Sequence, residues 1–170
     1  NDLSSAYASM HIDTSRSNLG YSDFPIPTHL PDFLSHQQVL AYLEAYAKHF
    51  SLTEKVTFNA LVEKIWKCDD GEWCVRLHRG ETRRYKTIIV ANGHLSDPRW
   101  PSFPGRFDGT AIHSCSYRTA APFEGKDVLV VGLGNSAVDI AVDLCRRAGS
   151  VSISTRRSAW IMPKYLIGVP

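Results

Sequence analysis

Glycines at 132 and 134 and an alanine at 137 form Gly-x-Gly-x-x-Ala within the stretch Asp127-Val-Leu-Val-Val-Gly-Leu-Gly-Asn-Ser-Ala. Residues of this kind bind phosphate through the main chain. Gly132 permits a tight turn, Gly134 lets backbone approach a pyrophosphate, and the N–H groups that open a following helix take up the anion's charge. Ala137 stands where a third glycine would pack helix against strand, a position that tolerates alanine. Asn135 and Ser136 follow in the same turn.

The identity of the dinucleotide is read about 20 residues further on, where an NAD site carries Asp or Glu for the ribose 2′-OH. This chain has Ser154-Thr-Arg-Arg there, with no acid. The guanidinium forks of Arg156 and Arg157 suit a 2′-phosphate, so NADPH is the expected ligand.

Such a turn works only when regular elements hold it. The run Val128 to Val131 predicts a parallel strand buried on both faces. An apolar-periodic stretch reaching Arg147 predicts a helix, and Ser-Val-Ser-Ile-Ser after it predicts a second strand. The order strand, turn, helix, strand is a βαβ unit.

Upstream, residues 1 to 34 are rich in Ser, Pro and Asp and read as an ordered, irregular loop. Ser35-His-Gln-Gln is a capping box, and Val39, Leu43, Tyr46 and Phe50 predict one apolar face of a helix, with His36 and His49 in solvent. Three strand-like segments follow, Lys55 to Trp66, Glu72 to His78 and Thr82 to Ala91, separated by Asp69-Asp70-Gly71 and Arg79-Gly80. They predict an antiparallel meander with Val56, Phe58, Ala60 and Val62 on one face and Val75 and Leu77 on another. The last segment ends in Thr87-Ile-Ile-Val-Ala, which reads as a return into a buried parallel sheet before an Asn92-Gly93 turn. Prolines 98, 101 and 104 then make an extended connector.

With 170 residues the chain is one large domain or two small ones, and a net charge of +2 gives no electrostatic case for nucleic acid. No apolar run approaches about 18 residues, so neither a membrane segment nor a signal peptide is expected, and a soluble cytoplasmic protein is. Cys68, Cys74, Cys115 and Cys145 make no C-x-x-C pair and no zinc spacing. They read as reduced structural thiols, which predicts no metal site and argues against a dithiol reductase. The chain opens on Asn-Asp without Met and ends soon after the second strand of the βαβ unit, so it is expected to be part of a longer protein.

Phe107, Gly109, His113 and Tyr117 match F-x-G-x-x-x-H-x-x-x-[Y/F], and on these residues the chain resembles the flavin-containing monooxygenases. Baeyer–Villiger monooxygenases carry Trp in place of Tyr117, so the resemblance favours the heteroatom-oxidising branch. Gly132-Leu-Gly-Asn-Ser-Ala, Ala91-Asn-Gly-His-Leu-Ser-Asp-Pro and Tyr21-Ser-Asp-Phe-Pro are similar to further motifs of that family. The fold implied is α/β, comprising parts of two Rossmann-like dinucleotide-binding domains with an antiparallel β-meander. Residues 1–118 would be the later part of an FAD domain plus the linker, and 119–170 the start of an NADPH domain.

The resemblance also implies the activity. FAD and NADPH would serve a monooxygenase that moves one oxygen of O₂ to a nucleophilic nitrogen or sulfur of a small substrate. Val62 would lie at the strand that holds the flavin adenine, and His113 and Tyr117 would position the linker around the cofactors. Counting back from Asp23, the family's active-site Asn falls on Asp13 and its preceding Thr on Ile12. An ionised Asp only accepts hydrogen bonds, where Asn also donates, so this departure implies a different substrate or subclass. An isolated, non-catalytic NADPH-binding module is the alternative, and oligomerisation is left open.

Overall fold

The computed structural model describes residues 4–93, 95 and 97–170. It divides into two compact units, one of Asn1–Tyr46 with Leu95–Pro170 and one of Ala47–His94.

In the first unit a single helical turn, α1 (Arg16–Leu19), leads into Tyr21–Phe24, which closes tightly with Phe24 N–H bonded to Tyr21 O at 3.1 Å. Ser35 and Gln38 then start α2 (His36–His49) as reciprocal caps. Gln38 N–H donates to Ser35 Oγ at 3.3 Å and Ser35 N–H donates to Gln38 Oε1 at 2.9 Å.

The expected stripe of α2 holds at Val39, Tyr46 and Phe50, which are half-buried, and departs at one position. Tyr42 is buried and Leu43 is exposed. The reason is polar: Tyr42 OH donates to Phe24 O at 2.7 Å and accepts from Tyr21 N–H at 2.8 Å. Its ring meanwhile joins Ile26 and Leu34 in a core that Ile12, Leu19 and Val39 extend. A leucine could fill that space but could not serve the two main-chain groups. His36, expected in solvent, is half-buried, and its Nε2 is buried with no hydrogen-bond partner.

The second unit holds β1 (Val62–Lys67), β2 (Trp73–Leu77) and β3 (Thr82–Tyr85), antiparallel in that order as expected. Val75 and Leu77 are buried. The first strand is shorter than its sequence suggests. Leu52–Lys55 form a 3₁₀ turn, and Asn59 sits at φ 55°, which interrupts the alternation from Val56 to Ala60; Val56 and Phe58 are exposed.

Cys68 and Cys74, expected as separate thiols, form a disulfide with Cα atoms 6.0 Å apart. The turn between them folds the start of β2 onto the end of β1, with Cys68 N–H bonded to Glu72 O at 2.8 Å. Thr87–Ala91, expected as a buried parallel strand, lies in no strand, and Ile89 and Val90 are exposed. An apolar run becomes a strand only where a neighbour completes its hydrogen bonds, and among the described residues none does so. Gly93 has φ 74°, in keeping with the expected turn, whereas His94 and Ser96 of the same motif lie outside the described residues.

The βαβ unit forms as read. It comprises β4 (Asp127–Val131), α3 (Asn135–Leu144) and β5 (Ser150–Ser154), with β4 and β5 parallel from Asp127↔Ser150 to Val131↔Ser154. Val128, Val130 and Val151 pack against a core of Ile140, Leu144, Tyr7, Tyr117 and Ala120. Leu129 and Val131 alternate to the opposite side and are exposed, so β4 is covered on one face and not on two. Among the described residues no helix is long and apolar enough to cross a membrane.

Replacing Ser35 with Ala removes one half of the α2 cap. It is expected to lower stability by about 1 kcal/mol, seen as a lower urea midpoint with an unchanged slope.

Candidate dinucleotide site

At the carboxyl end of β4 the chain reverses through Gly132, whose φ of 123° is a left-handed conformation suited to glycine. Gly132 N–H donates to Ser154 O at 2.8 Å, so the turn is tied to the end of β5. A Cβ added to Gly132 would lie 4.0 Å from the Ala137 methyl.

Gly134 is the N-cap of α3 and supplies no side-chain cap. Ala137 and Val138 N–H both return to Gly134 O, at 2.9 and 3.1 Å. A Cβ built on Gly134 would meet nothing within 4 Å. An uncapped helix end with open space before it is an anion site in waiting, and the residues present therefore fit a pyrophosphate. Asn135 and Ser136, the first two helical residues, stand at its mouth. Asn135 Nδ2 donates to Asp13 Oδ2 at 3.0 Å.

Arg156 and Arg157 follow β5 after Thr155 and are exposed. Thr155 Oγ1 donates to Arg157 O at 2.6 Å and accepts from Arg157 N–H at 3.3 Å, which shapes the backbone between the strand and the second arginine. Both arginines thus follow the strand end to which the glycine turn is tied.

The linker residues act on the frame of the site. A Cβ on Gly109 would run into Phe107 Cζ, so the Phe ring occupies the space that a larger residue at 109 would fill. His113 Nδ1 accepts from Cys115 N–H at 3.2 Å and caps the short 3₁₀ turn Ser114–Ser116, while Trp100 meets its ring edge-on at 5.9 Å. Tyr117 is 2% exposed, and its OH donates to Asp143 Oδ2 at 2.6 Å.

Tyr7, which sequence reasoning missed, repeats the arrangement: its OH donates to Asp139 Oδ2 at 2.9 Å. The two tyrosine rings meet edge to face at 5.7 Å. Burial first, and then the carboxylate each hydroxyl bonds, push both phenols well above the usual tyrosine value. Asp139 and Asp143 are four residues apart and share one side of α3, the one sequence signal that pointed to such a pair. Arg118 completes the block. Its Nη2 donates to Ser4 O at 2.7 Å and its carbonyl accepts from Ala8 N–H at 2.8 Å.

Asp13 lies just ahead of α1 and is exposed. Besides Asn135 it meets Lys164, whose Nζ is 3.3 Å from Asp13 Oδ1. Neither contact is legible in the sequence, since the partners lie 122 residues away in one case and at the far end of the chain in the other. Val62 opens β1 in the other unit, opposite Leu77, and is exposed.

A parallel βαβ unit with a glycine turn opening onto an uncapped helix end is a dinucleotide-binding module of the Rossmann type. The chain belongs to the flavin-binding monooxygenase-like family, whose model matches residues 1–168. It is 40% identical over 169 residues to flavin-containing monooxygenase 5 of Rattus norvegicus, covering 93% of this chain and 32% of that protein. The solved S-allyl-L-cysteine S-oxygenase of Allium sativum superposes with a TM-score of 0.83 at 30% identity, over 97% of this chain and 40% of its own. A steroid monooxygenase bound to NADP superposes with a TM-score of 0.70 at 26% identity, over 92% of this chain and 32% of its own. The chain therefore spans about a third of the length of the curated relatives it matches. The α/β class stands, with parts of two Rossmann-like domains and the antiparallel meander.

Replacing Tyr117 with Phe leaves Asp143 without its hydroxyl partner and is expected to cost about 1.5–3 kcal/mol in denaturant unfolding. The pH dependence follows from the raised phenols. Their contribution is complete below the ordinary tyrosine value of about 10 and is lost as pH rises through the higher folded values, so this part of the stability falls in alkali. In a phenolate absorbance titration Tyr7 and Tyr117 should ionise only as the protein unfolds.

Proposed function

We propose that this chain is the central part of an FAD- and NADPH-dependent monooxygenase that transfers one oxygen of O₂ to a nucleophilic nitrogen or sulfur of a small molecule. Family membership supports the reaction type, and the S-oxygenase among its structural relatives supports the heteroatom class. The observation that carries the nucleotide half is the open, uncapped N-terminus of α3 at Gly134, with Arg156 and Arg157 at the neighbouring strand end.

In this reading residues 1–118 are the later part of the FAD domain with the linker, and 119–170 begin the NADPH domain. FAD and NADPH, when bound, supply the redox and oxygen-activating chemistry. Gly132 and Gly134 bring main-chain N–H groups to the pyrophosphate, with Asn135 and Ser136 beside them. The guanidinium groups of Arg156 and Arg157 hold the 2′-phosphate. Tyr117 keeps α3 in place through Asp143, and His113 keeps the linker backbone in shape. Val62 contributes main chain beside the flavin adenine, and Asp13 occupies the active-site position next to the nicotinamide turn.

Replacing Arg156 and Arg157 together with Ala is expected to weaken NADPH by about 1.5–3 kcal/mol while leaving NADH nearly unchanged, measured by direct titration. Equal loss for both cofactors would reject the 2′-phosphate role. Purified protein carrying a flavin absorbance band supports the two-cofactor reading. Colourless protein that still binds NADPH would leave only a nucleotide-binding module.

A further inference from the structure

Asp13 puts a negative charge next to the helix end that would receive an anionic dinucleotide. One carboxylate oxygen accepts from the amide of Asn135, the first residue of α3, at 3.0 Å. The other lies 3.3 Å from the ammonium of Lys164. A carboxylate thus lies beside the positive end of α3, and a cation stands against its other oxygen.

Lys164 is held there by contacts of its own segment. Tyr165 OH donates to Asp32 Oδ2 at 3.2 Å, and the Tyr165 ring meets Phe33 edge-on at 5.4 Å. Lys164 Nζ also sits 5.1 Å from the centre of the Phe33 ring, within cation–π range. The ammonium is therefore delivered to Asp13 between a ring and a carboxylate, with its backbone anchored one residue away. Asp13 and Lys164 are 44% and 42% exposed, and an exposed pair contributes only about 0–1 kcal/mol to stability. What the pair changes is the field at the helix end.

We propose that Lys164 is a charge-compensating positioning residue. It neutralises Asp13 and keeps the carboxylate turned onto Asn135, so that the turn can accept the dinucleotide despite the acid beside it. The proposal rests on the reading that the N-terminus of α3 binds the NADPH pyrophosphate.

The test is NADP⁺ titration of the purified protein carrying K164M, K164R, D13N or D13N/K164M. K164M is expected to bind about three- to tenfold more weakly, with a deficit that shrinks at high salt, while K164R stays near the starting protein. D13N/K164M should return to within about twofold of D13N, because no charge remains to be compensated. That rescue separates charge from packing, since loss of the Lys stem from Phe33 would persist in the double variant. Unchanged binding by K164M, or no rescue by D13N, would overturn the proposal while the arginine result upholds the site. Failure of the unmodified protein to bind NADP⁺ would overturn both.

Discussion

Two phenolic hydroxyls bonded to two carboxylates on one side of α3 fix where the nucleotide turn points. The helix has ten residues, and an isolated helix of that length is marginal in water. Its position comes from tertiary contacts: Ile140, Ala141 and Leu144 bury against the core, and Asp139 and Asp143 take the hydroxyls of Tyr7 and Tyr117. Apolar contact alone would allow the helix to rotate or slide at little cost, since dispersion and burial are nearly non-directional. The two hydrogen bonds remove that freedom, because each oxygen must be met at one place and a carboxylate left unmet in such surroundings is costly.

This arrangement divides the helix into two ends with opposite needs. Toward its C-terminal half every polar side chain on the inner face is satisfied from within the protein. At its N-terminus no side chain caps it, and the space beyond Gly134 is open. An unsatisfied helix end is ordinarily a weakness, so its retention here is instructive: the frame supplies rigidity elsewhere, and the exposed N–H groups remain available to an anion. The same device serves the loop Tyr21–Phe24, which Tyr42 of α2 pins through its hydroxyl while its ring enters the core. Tyrosine suits both tasks because it pairs a large apolar body with one polar tip.

Local signals were legible in the sequence and partner-dependent ones were not. The strand β4, the glycine turn, α3 and the Ser35 cap all rest on residues within a few positions of one another, and each formed where its pattern placed it. The strand-like runs 56–61 and 87–91 did not, since strand formation needs a neighbour that no local pattern reveals. Burial of β4 on both faces was inferred from composition, whereas one face has a covering layer and the other has none. The Cys68–Cys74 pair escaped because five residues separate the two cysteines and only the turn brings them together. Tyr7 carried no signal, because its partner lies 132 residues away.

The family motif in the linker acquires a physical meaning from these contacts, and that meaning limits what the motif can say about chemistry. Phe107 lies over Gly109, His113 caps a turn of its own backbone, and Tyr117 is turned inward to Asp143. Each of these residues sustains the frame. Matching the motif therefore identifies a scaffold able to aim α3, and a chain could keep it while changing what the site accepts. Outside that frame, Arg156 and Arg157 after β5 and Asp13 ahead of α1 are exposed. Of these, Asp13 is the one whose charge the rest of the structure meets with an oppositely charged group, the ammonium of Lys164.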